Sequence, residues 1–568
     1  MKVLKIACSF GLALSALAST AHAQTVEFTG IGSSALFLEL GQAAYSLSET
    51  QHPTQTTCSW TTGDKTTPAI SATDNGPSPS ISNTGNFWVI YTAGNGTCAA
   101  PVVTASKPVY VYSNLQVDSA VGNRCVFRTG AANQQCALVV PSTGVTQVGG
   151  ANLLTGITDT TSPLPSKIIS ALNGQTFQVA ASDIRPEDSL FSIVRATTPL
   201  NTPVATGSQY LGEGYNADSK HCASIGIQGV ATHGGGTVTA AGFALPGGTD
   251  PCTGAAAVKS FNAIEVGATP VVVFVNPSNP SGFGNSAIVN VNRGVLSTFV
   301  NGLSCRTFDF INQAHAGGGQ YTTTFLREPF SGTYNTFEYS IPNTVELQTS
   351  QEANIASPTT QPLNLASCKG LHGSRQRVTS GGNMIAAVLS TTDSLGYSFW
   401  STANFKNATT STGKYLTVDG VDPLMENYDE GCIPTVSGSG TCALSAVTFP
   451  HIVDGSYPIW SVQRLVTTSN TSATQTTTAS QLAAAAQAQV SSSQPDFVPA
   501  TTLYVVHSHF VPPGLGTLSG TITAQNNDGT CNHAEAGGDV GGIVYNQQTE
   551  SDYCNEFATY VGFTGRRQ

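Results

Sequence analysis

Thr324-Phe325-Leu326-Arg327-Glu328-Pro329-Phe330-Ser331-Gly332-Thr333-Tyr334-Asn335-Thr336-Phe337 decides the fold. It reads as a strand that ends in an arginine, a proline-broken turn, and Ser-Gly-Thr opening a helix. A helix start exposes unpaired backbone N–H groups and the positive end of the helix dipole. Gly332 lets a ligand approach the backbone, and Ser331 and Thr333 add hydroxyl donors. Arg327 contributes a planar, permanently charged fork that suits a tetrahedral oxyanion. Together these groups form an anion cradle. Taken alone, the stretch also fits an ordinary capped helix beside a surface arginine.

Working outward, the chain begins Met1-Lys2-Val3-Leu4-Lys5, continues apolar to Ala18, and reaches Ala21-His22-Ala23. That is the pattern of an export signal cut after Ala23, with residues 1–23 as the leader. The product is expected to be soluble and periplasmic or secreted. Of the 13 cysteines, Cys8 lies in the leader, which leaves an even number. They fall in near-neighbour order: Cys58/Cys98, Cys125/Cys136, Cys222/Cys252, Cys305/Cys368, Cys432/Cys442 and Cys531/Cys554. Local disulfide staples in an oxidising compartment are the simplest reading. The net charge of −11 and the absence of a basic run exclude nucleic-acid binding by bulk charge. Anion binding by local, pre-arranged donors is not excluded.

Residues 25–29 read as a strand, Gly30-Ile31-Gly32-Ser33-Ser34 as the turn after it, and Leu36, Leu40, Ala43 and Leu47 recur at helical spacing. Residues 51–86 read as a long loop. Residues 87–91 and 109–112 read as strands, and Val117 to Arg124 as a small-residue turn after the second. Residues 177–181 read as a strand ending in Ser182-Asp183-Ile184-Arg185, where Pro186 with Glu187 and Asp188 signals a helix start. Residues 141–165 read as loop, and residues 195–260 as a polar, glycine-rich elaboration. The apolar run from Ala268 to Val275 suits a strand buried on both faces of a mainly parallel sheet. A helix follows, ending at Gly302. Further on come a helix at 385–389, a strand at 395–400, strands at 459–462 and 503–506, and a helix at 481–490. The Ser/Thr-rich stretch 467–480 reads as a solvated loop. Alternating strands and helices predict an α/β fold. Its polar turns at 30–34, 118–124, 182–185 and 327–333 all lie at strand ends, where open α/β sheets bind ligands.

The order of these motifs resembles the phosphate-binding proteins of bacterial ABC importers, which have the type 2 periplasmic binding protein fold. Gly30-Ile31-Gly32-Ser33-Ser34-Ala35 looks like the family's opening Gly-x-Gly-x-Thr-Phe turn, and Ala181-Ser182-Asp183 like its Ala-Ser-Asp segment. Pro270 to Val275, then Val295 to Gly302, look like its crossover strand and next helix. Arg327-x-x-x-Ser331-Gly332-Thr333 is similar to its anion clamp, and Ser394-Leu395-Gly396-Tyr397 to its Ile-Gly-Tyr strand. The likeness spans most of the chain as a skeleton with large insertions.

The resemblance implies a two-lobed α/β fold with mixed sheets, large loop insertions and several disulfides. Lobe 1 would use residues 24–268 and 428–568, and lobe 2 residues 269–427. It implies a solute-binding protein that captures phosphate or a similar small oxyanion between the lobes. The expected ligand residues are Ser34, Ala35, Ser119, Asp183, Arg327, Ser331, Gly332 and Thr333. Ser34 donates its hydroxyl and N–H, and Ala35, in place of the family's aromatic residue, its N–H. Ser119 takes the place of the family's second serine. Asp183 accepts a hydrogen bond from a protonated oxyanion, which hydrogen phosphate offers and sulfate does not. Arg185 departs from the family pattern and bears on anion preference. A monomer with an ABC permease as partner is expected, with no cofactor and no catalysis.

The cysteines, insertions and long tail depart from the plain importer protein. They support an alternative, a secreted surface or matrix protein that keeps the fold without transport-linked binding. A phosphohydrolase on this scaffold is a third class, but no Gly-x-Ser-x-Gly elbow is present. His507-Ser508-His509, with His533 and Glu535 beyond, lacks a third ligand at metal-binding spacing. No metal site is expected.

Overall fold

The computed structural model describes residues 24–62, 69–70, 86–129, 136–140, 163–186, 188–189, 224–227, 236–239, 243–250, 254–300, 304–311, 319–327, 330–341, 374–378, 380–428, 432–491, 494–503, 505–508 and 542–545. The expected leader, the loop at 141–162, most of the 195–260 elaboration and nearly all of the tail lie outside them. Among the described residues no helix is long and apolar enough to cross a membrane.

The fold is α/β, built on a mixed 12-stranded sheet. Ten strands form its main path: β1 (Thr25–Gly32), β2 (Thr57–Thr62), β3 (Phe87–Thr92), β4 (Tyr110–Gln116), β5 (Val179–Ser182), β6 (Phe261–Val275), β7 (Thr323–Arg327), β8 (Ser374–Val378), β9 (Ser394–Phe399) and β10 (Trp460–Thr468). Their spatial order is β8-β7-β9-β6-β10-β5-β1-β4-β3-β2. The pairs β1/β4, β1/β5, β7/β8 and β7/β9 are parallel. The helices that matter below are α1 (Phe37–Gln51), α2 (Ser119–Phe127), α3 (Arg293–Val300), α4 (Gly332–Ser340), α5 (Gly381–Ser390), α6 (Thr402–Phe405) and α7 (Ala473–Gln489).

Strand β6 joins the two halves of the sheet. Residues Phe261 to Pro270 pair antiparallel with β10, and Val271 to Val275 pair antiparallel with β9. Pro270 stands where one ladder ends and the other begins. A residue without an N–H costs least at such a break. The Val-rich run after it is buried throughout, as expected. The expectation of mainly parallel pairing is corrected, because every pairing of β6 is antiparallel. Burial on both faces shows in an apolar run, but strand direction does not.

Side chains alternate across the first half of the sheet. Phe28, Trp88, Ile90 and Tyr112 pack on one face with Leu40 and Ala43 of α1 and Leu482 and Ala486 of α7. Ile31, Phe87, Val89, Val111 and Leu115 pack on the other with Ala120 and Val121 of α2.

Four further expectations are corrected. The loop assigned to 51–86 contains β2, an edge strand paired with β3, whose Cys58 and Trp60 are buried. The turn expected at 30–34 is strand as far as Gly32. The turn expected over 117–124 is only two residues long, and Ser119 already opens α2. Gly122 serves packing there, since a Cβ would press on the backbone of Ile31 and Gly32. The stretch 467–480 supplies the end of β10 and the first half of α7, which Ser472 caps by accepting from the N–H of Gln475. Three of the expected cysteine pairs are disulfides: Cys58–Cys98, Cys125–Cys136 and Cys432–Cys442. Each of the others includes a cysteine outside the described residues.

Residues 494–497 strap the two halves together. Gln494 Nε2 donates to Gln42 Oε1 of α1 at 2.5 Å, and Pro495 O accepts from Trp400 Nε1 at 2.7 Å. Asp496 accepts from the Thr402 N–H at 2.6 Å and so caps α6. Its carboxyl meets that of Glu39 on α1, and both are buried. Burial first, and then Asp496, hold the Glu39 carboxyl well above the usual range near 4.5. Two buried carboxyls in contact share a proton.

A raised folded-state value means a contribution to stability that is complete below the ordinary glutamate range. It is lost as pH rises through the raised value. Glu39→Gln keeps a hydrogen-bonding group that cannot ionise. Thermal denaturation from pH ~5 to ~9 is expected to show a flatter loss of stability in Glu39→Gln than in the parent. Parallel curves would contradict the shared proton.

Candidate anion-binding site

Each strand that borders the site ends in a polar turn. At the end of β1, the Ser33 N–H donates to Ala181 O at 2.7 Å, and Gly32 O accepts from the Val117 N–H at 2.7 Å. These bonds bring the ends of β1, β4 and β5 together. Ser33 Oγ accepts from the Ala35 N–H at 3.1 Å. At the end of β4, Asp118 and Ser119 begin α2. Asp183 follows β5 directly.

The opposite wall is built by the second half of the sheet. Arg327 ends β7, and Ser331 caps α4 by accepting from the Tyr334 N–H at 3.3 Å. The Ala120 N–H donates to Phe330 O at 3.2 Å, tying the start of α2 to the entry of α4. Ser380 caps α5 in the same way through the Asn383 N–H at 3.2 Å. Three helix starts therefore border one volume, all belonging to helices of eight residues or more.

Arg327 is 2% exposed. Its N–H donates to Tyr397 Oη at 3.2 Å, and Nη1 donates to Thr333 Oγ1 at 3.3 Å. Nη2 lies 3.5 Å from Asp118 Oδ1 across the site. Asp183 is 2% exposed, and Ser119 Oγ donates to its Oδ1. Burial pushes the Asp183 carboxyl up, while hydrogen bonds from Ser119, the backbone and Ser33, with the charge of Arg327, oppose that rise. Gly332 lies directly on this carboxyl, since a Cβ there would fall on Asp183 Oδ1 and on Ser119 Oγ. The two walls are thus in contact between Asp183 and the start of α4.

Of the expected residues, Ser119, Asp183, Arg327, Ser331, Gly332 and Thr333 come together in this volume. Ser34 stands at its edge, half-exposed, with its hydroxyl 3.6 Å from where a Cβ of Gly381 would be. Ala35 differs from expectation in one respect: its N–H, assigned to a ligand, is taken by Ser33 Oγ. Arg185 is held by Asp188 at 3.4 Å.

Sequence reasoning missed Ser33, Asp118, Gly381 and Tyr397. Ser33 and Asp118 each adjoin an expected residue, so spacing alone did not separate them. Ser380-Gly381-Gly382 before the apolar run of α5 was the available signal for the third helix start. Among the described residues no group of three or more His, Cys, Asp or Glu could hold a metal ion. His509, His533 and Glu535 lie outside them.

The charges set the chemistry. One guanidinium faces two carboxyls, so the site is not positive when both carboxyls are ionised. Its donors are hydroxyls, the guanidinium and helix-start N–H groups. It suits an anion held by hydrogen bonds that brings a proton to Asp183.

Comparison with known proteins gives no matching family model and no matching curated protein. Solved structures do match at low identity. A substrate-binding protein assigned to a phosphate ABC transporter of Clostridium perfringens, solved with bound phosphate, is 13% identical, over 39% of this chain and 65% of that one, at a TM-score of 0.25. An ABC-type phosphate transport receptor from Vibrio cholerae is 16% identical, over 40% and 67%, at 0.25. A phosphate-binding protein from Stenotrophomonas maltophilia is 12% identical, over 65% and 74%, at 0.27. The chain thus spans about two thirds of the length of the first two.

The contact at Gly332 yields a test. Gly332→Ala places a methyl on Asp183 and Ser119 and is expected to destabilise by ~1–3 kcal/mol, as overpacking does. At Gly382 a Cβ meets only Asn404 Oδ1, at 3.6 Å, so Gly382→Ala is the tolerated control. Equal melting temperatures for the two variants would show that the walls do not meet at Gly332.

Proposed function

We propose that this chain is an exported solute-binding protein that captures phosphate or a similar small oxyanion. The anion lies in a cleft between two lobes, one using residues 24–268 and 428–568 and the other residues 269–427. The observation that carries the reading is the meeting of Asp183 and Ser119 with the start of α4 and the guanidinium of Arg327.

In this reading Arg327 forms charge-assisted bonds to the anion. The helix start at Ser331, Gly332 and Thr333 donates N–H and hydroxyl groups. Ser119 and the edge residue Ser34 donate hydroxyls. Asp183 accepts the ligand's proton. An entering anion parts Gly332 from Asp183 and replaces their contact, so closure of the lobes on the ligand is the functional motion. No chemical step follows from this arrangement. Delivery to an ABC permease, by a monomer outside the cytoplasm, completes the proposal.

A second reading has its own support. Ser119 donates to Asp183, so each of the two groups has a partner within the protein. A surface or matrix protein that keeps the fold and binds nothing for transport would look the same. A rise in melting temperature with millimolar phosphate separates the two readings, because ligand binding to the folded state stabilises it by mass action.

Two substitutions test the roles. Arg327→Ala is expected to abolish phosphate binding by calorimetry, and an unchanged titration would remove the claim. Asp183→Asn replaces the obligate acceptor with an amide that can also donate. Sulfate is expected to compete with phosphate at least ~10-fold better in this variant, since an unpaired buried acceptor is no longer left behind. Undiminished exclusion of sulfate would count against proton reading by Asp183.

A further inference from the structure

A groove of about 220 Å³ opens beside the cradle. One side comes from the first half of the chain, including Ser34, Asn86 and Gln116. The other comes from α5, α6 and the residue after it, including Asn383, Asn404 and Lys406. Ser34 belongs to both the groove and the edge of the cradle. Between them stands the backbone of Gly381, and a Cβ placed there would lie 3.6 Å from Ser34 Oγ and 3.9 Å from Arg327 Nη1. Gly381 and Gly382, in succession, place no side chain of their own between the groove and the guanidinium.

The lining has a definite chemistry. Among the described residues it holds side-chain amides, serine hydroxyls and one ammonium, with the apolar side chains of Phe37, Leu38 and Ala403, and no carboxylate. A cationic group therefore finds no counter-charge, while a hydroxylated group finds donors and acceptors. Asn86 Nδ2 donates to Gln116 Oε1 at 3.2 Å, yet Asn86 Oδ1 is buried and has no hydrogen-bond partner among the described residues. Asn114 lies on the same face of β4 as Gln116, fully buried, and its amide likewise has no partner among the described residues. Buried acceptors are normally satisfied. Asn86 and Gln116 present their amide side chains together at this wall of the groove. A six-atom ring fills a cavity of ~150 Å³, so this groove accepts a group of that size or slightly larger.

We infer that the groove receives the small hydroxylated part of a phosphate monoester, whose phosphoryl group occupies the cradle and whose ester oxygen points toward Ser34. This rests on the oxyanion reading of the cradle and deepens it, because the ligand becomes a sugar or polyol phosphate instead of the bare ion. The ester enters as its monoanion, whose remaining P–OH meets Asp183, and Lys406, exposed at the rim, adds attraction for it without entering the cradle. No bond is made or broken.

Calorimetric titration of the full chain with ribose 5-phosphate and with inorganic phosphate tests it. The ester is expected to bind at least ~10-fold tighter than the ion. Asn404→Ala and Lys406→Ala, both away from the cradle, are each expected to weaken ribose 5-phosphate about 5-fold and to leave inorganic phosphate within about 2-fold. Lys406 is a surface side chain, so its variant folds and keeps the test decisive. If the parent binds inorganic phosphate as tightly as the ester, or if the variants weaken both ligands alike, the groove is no subsite, though the phosphate reading survives. If the parent binds neither, both proposals fall together.

Discussion

A buried guanidinium between two carboxyls is the constraint on which this molecule turns. Removing a charge from water is costly unless other groups satisfy it. The Arg327 guanidinium donates to Thr333 on its own side and faces Asp118 across the site, while the backbone N–H of Arg327 donates to Tyr397. It can be kept in place only if the strand that ends in it and the turn that ends in Asp118 are fixed relative to each other. The bond from the Ala120 N–H to Phe330 O does part of this, and β6 does the rest by pairing with both halves of the sheet. The same charge arithmetic limits function. A site with one cation and two acids attracts an anion through oriented donors, not through net charge, which agrees with an acidic chain.

The scaffold repeats one solution at several places. A strand ends, a turn of one to three residues follows, and a serine or aspartate begins the next helix. Each repetition supplies N–H donors without a positive side chain. The glycine at 332 then does what no other residue can, by letting α4 rest on the carboxyl of Asp183. On the far side, the strap through Asp496 ties α1 to α6 and so joins the halves at a second place.

Much of this was legible in the residues. Ser-Gly-Thr after a strand and a proline marks a helix start, and α4 begins there with Ser331 as its cap. The Val-rich run of β6 shows burial. Other features are not local and were misread for that reason. Thr57–Thr62 has the polar composition of a loop, and only pairing with β3 and the burial of Trp60 make it a strand. Ser119 to Arg124 reads as a turn because small residues are common in turns, but here they are small so that α2 can lie against β1. The Ser/Thr-rich start of α7 has weak helical propensity, and packing on the sheet overrides it. Ser33 and Asp118 were passed over for their neighbours because which of two adjacent polar residues points inward depends on where the strand stops.

The most direct measurement is a calorimetric titration of phosphate into the full chain at low and at high sodium chloride. An anion held by buried, oriented donors is shielded from counter-ions, whereas one held by surface charge is not. The account predicts saturable binding with a dissociation constant that changes by less than about 2-fold between ~50 and ~500 mM salt. Absence of binding, or affinity that falls by about 10-fold or more across that range, would contradict it.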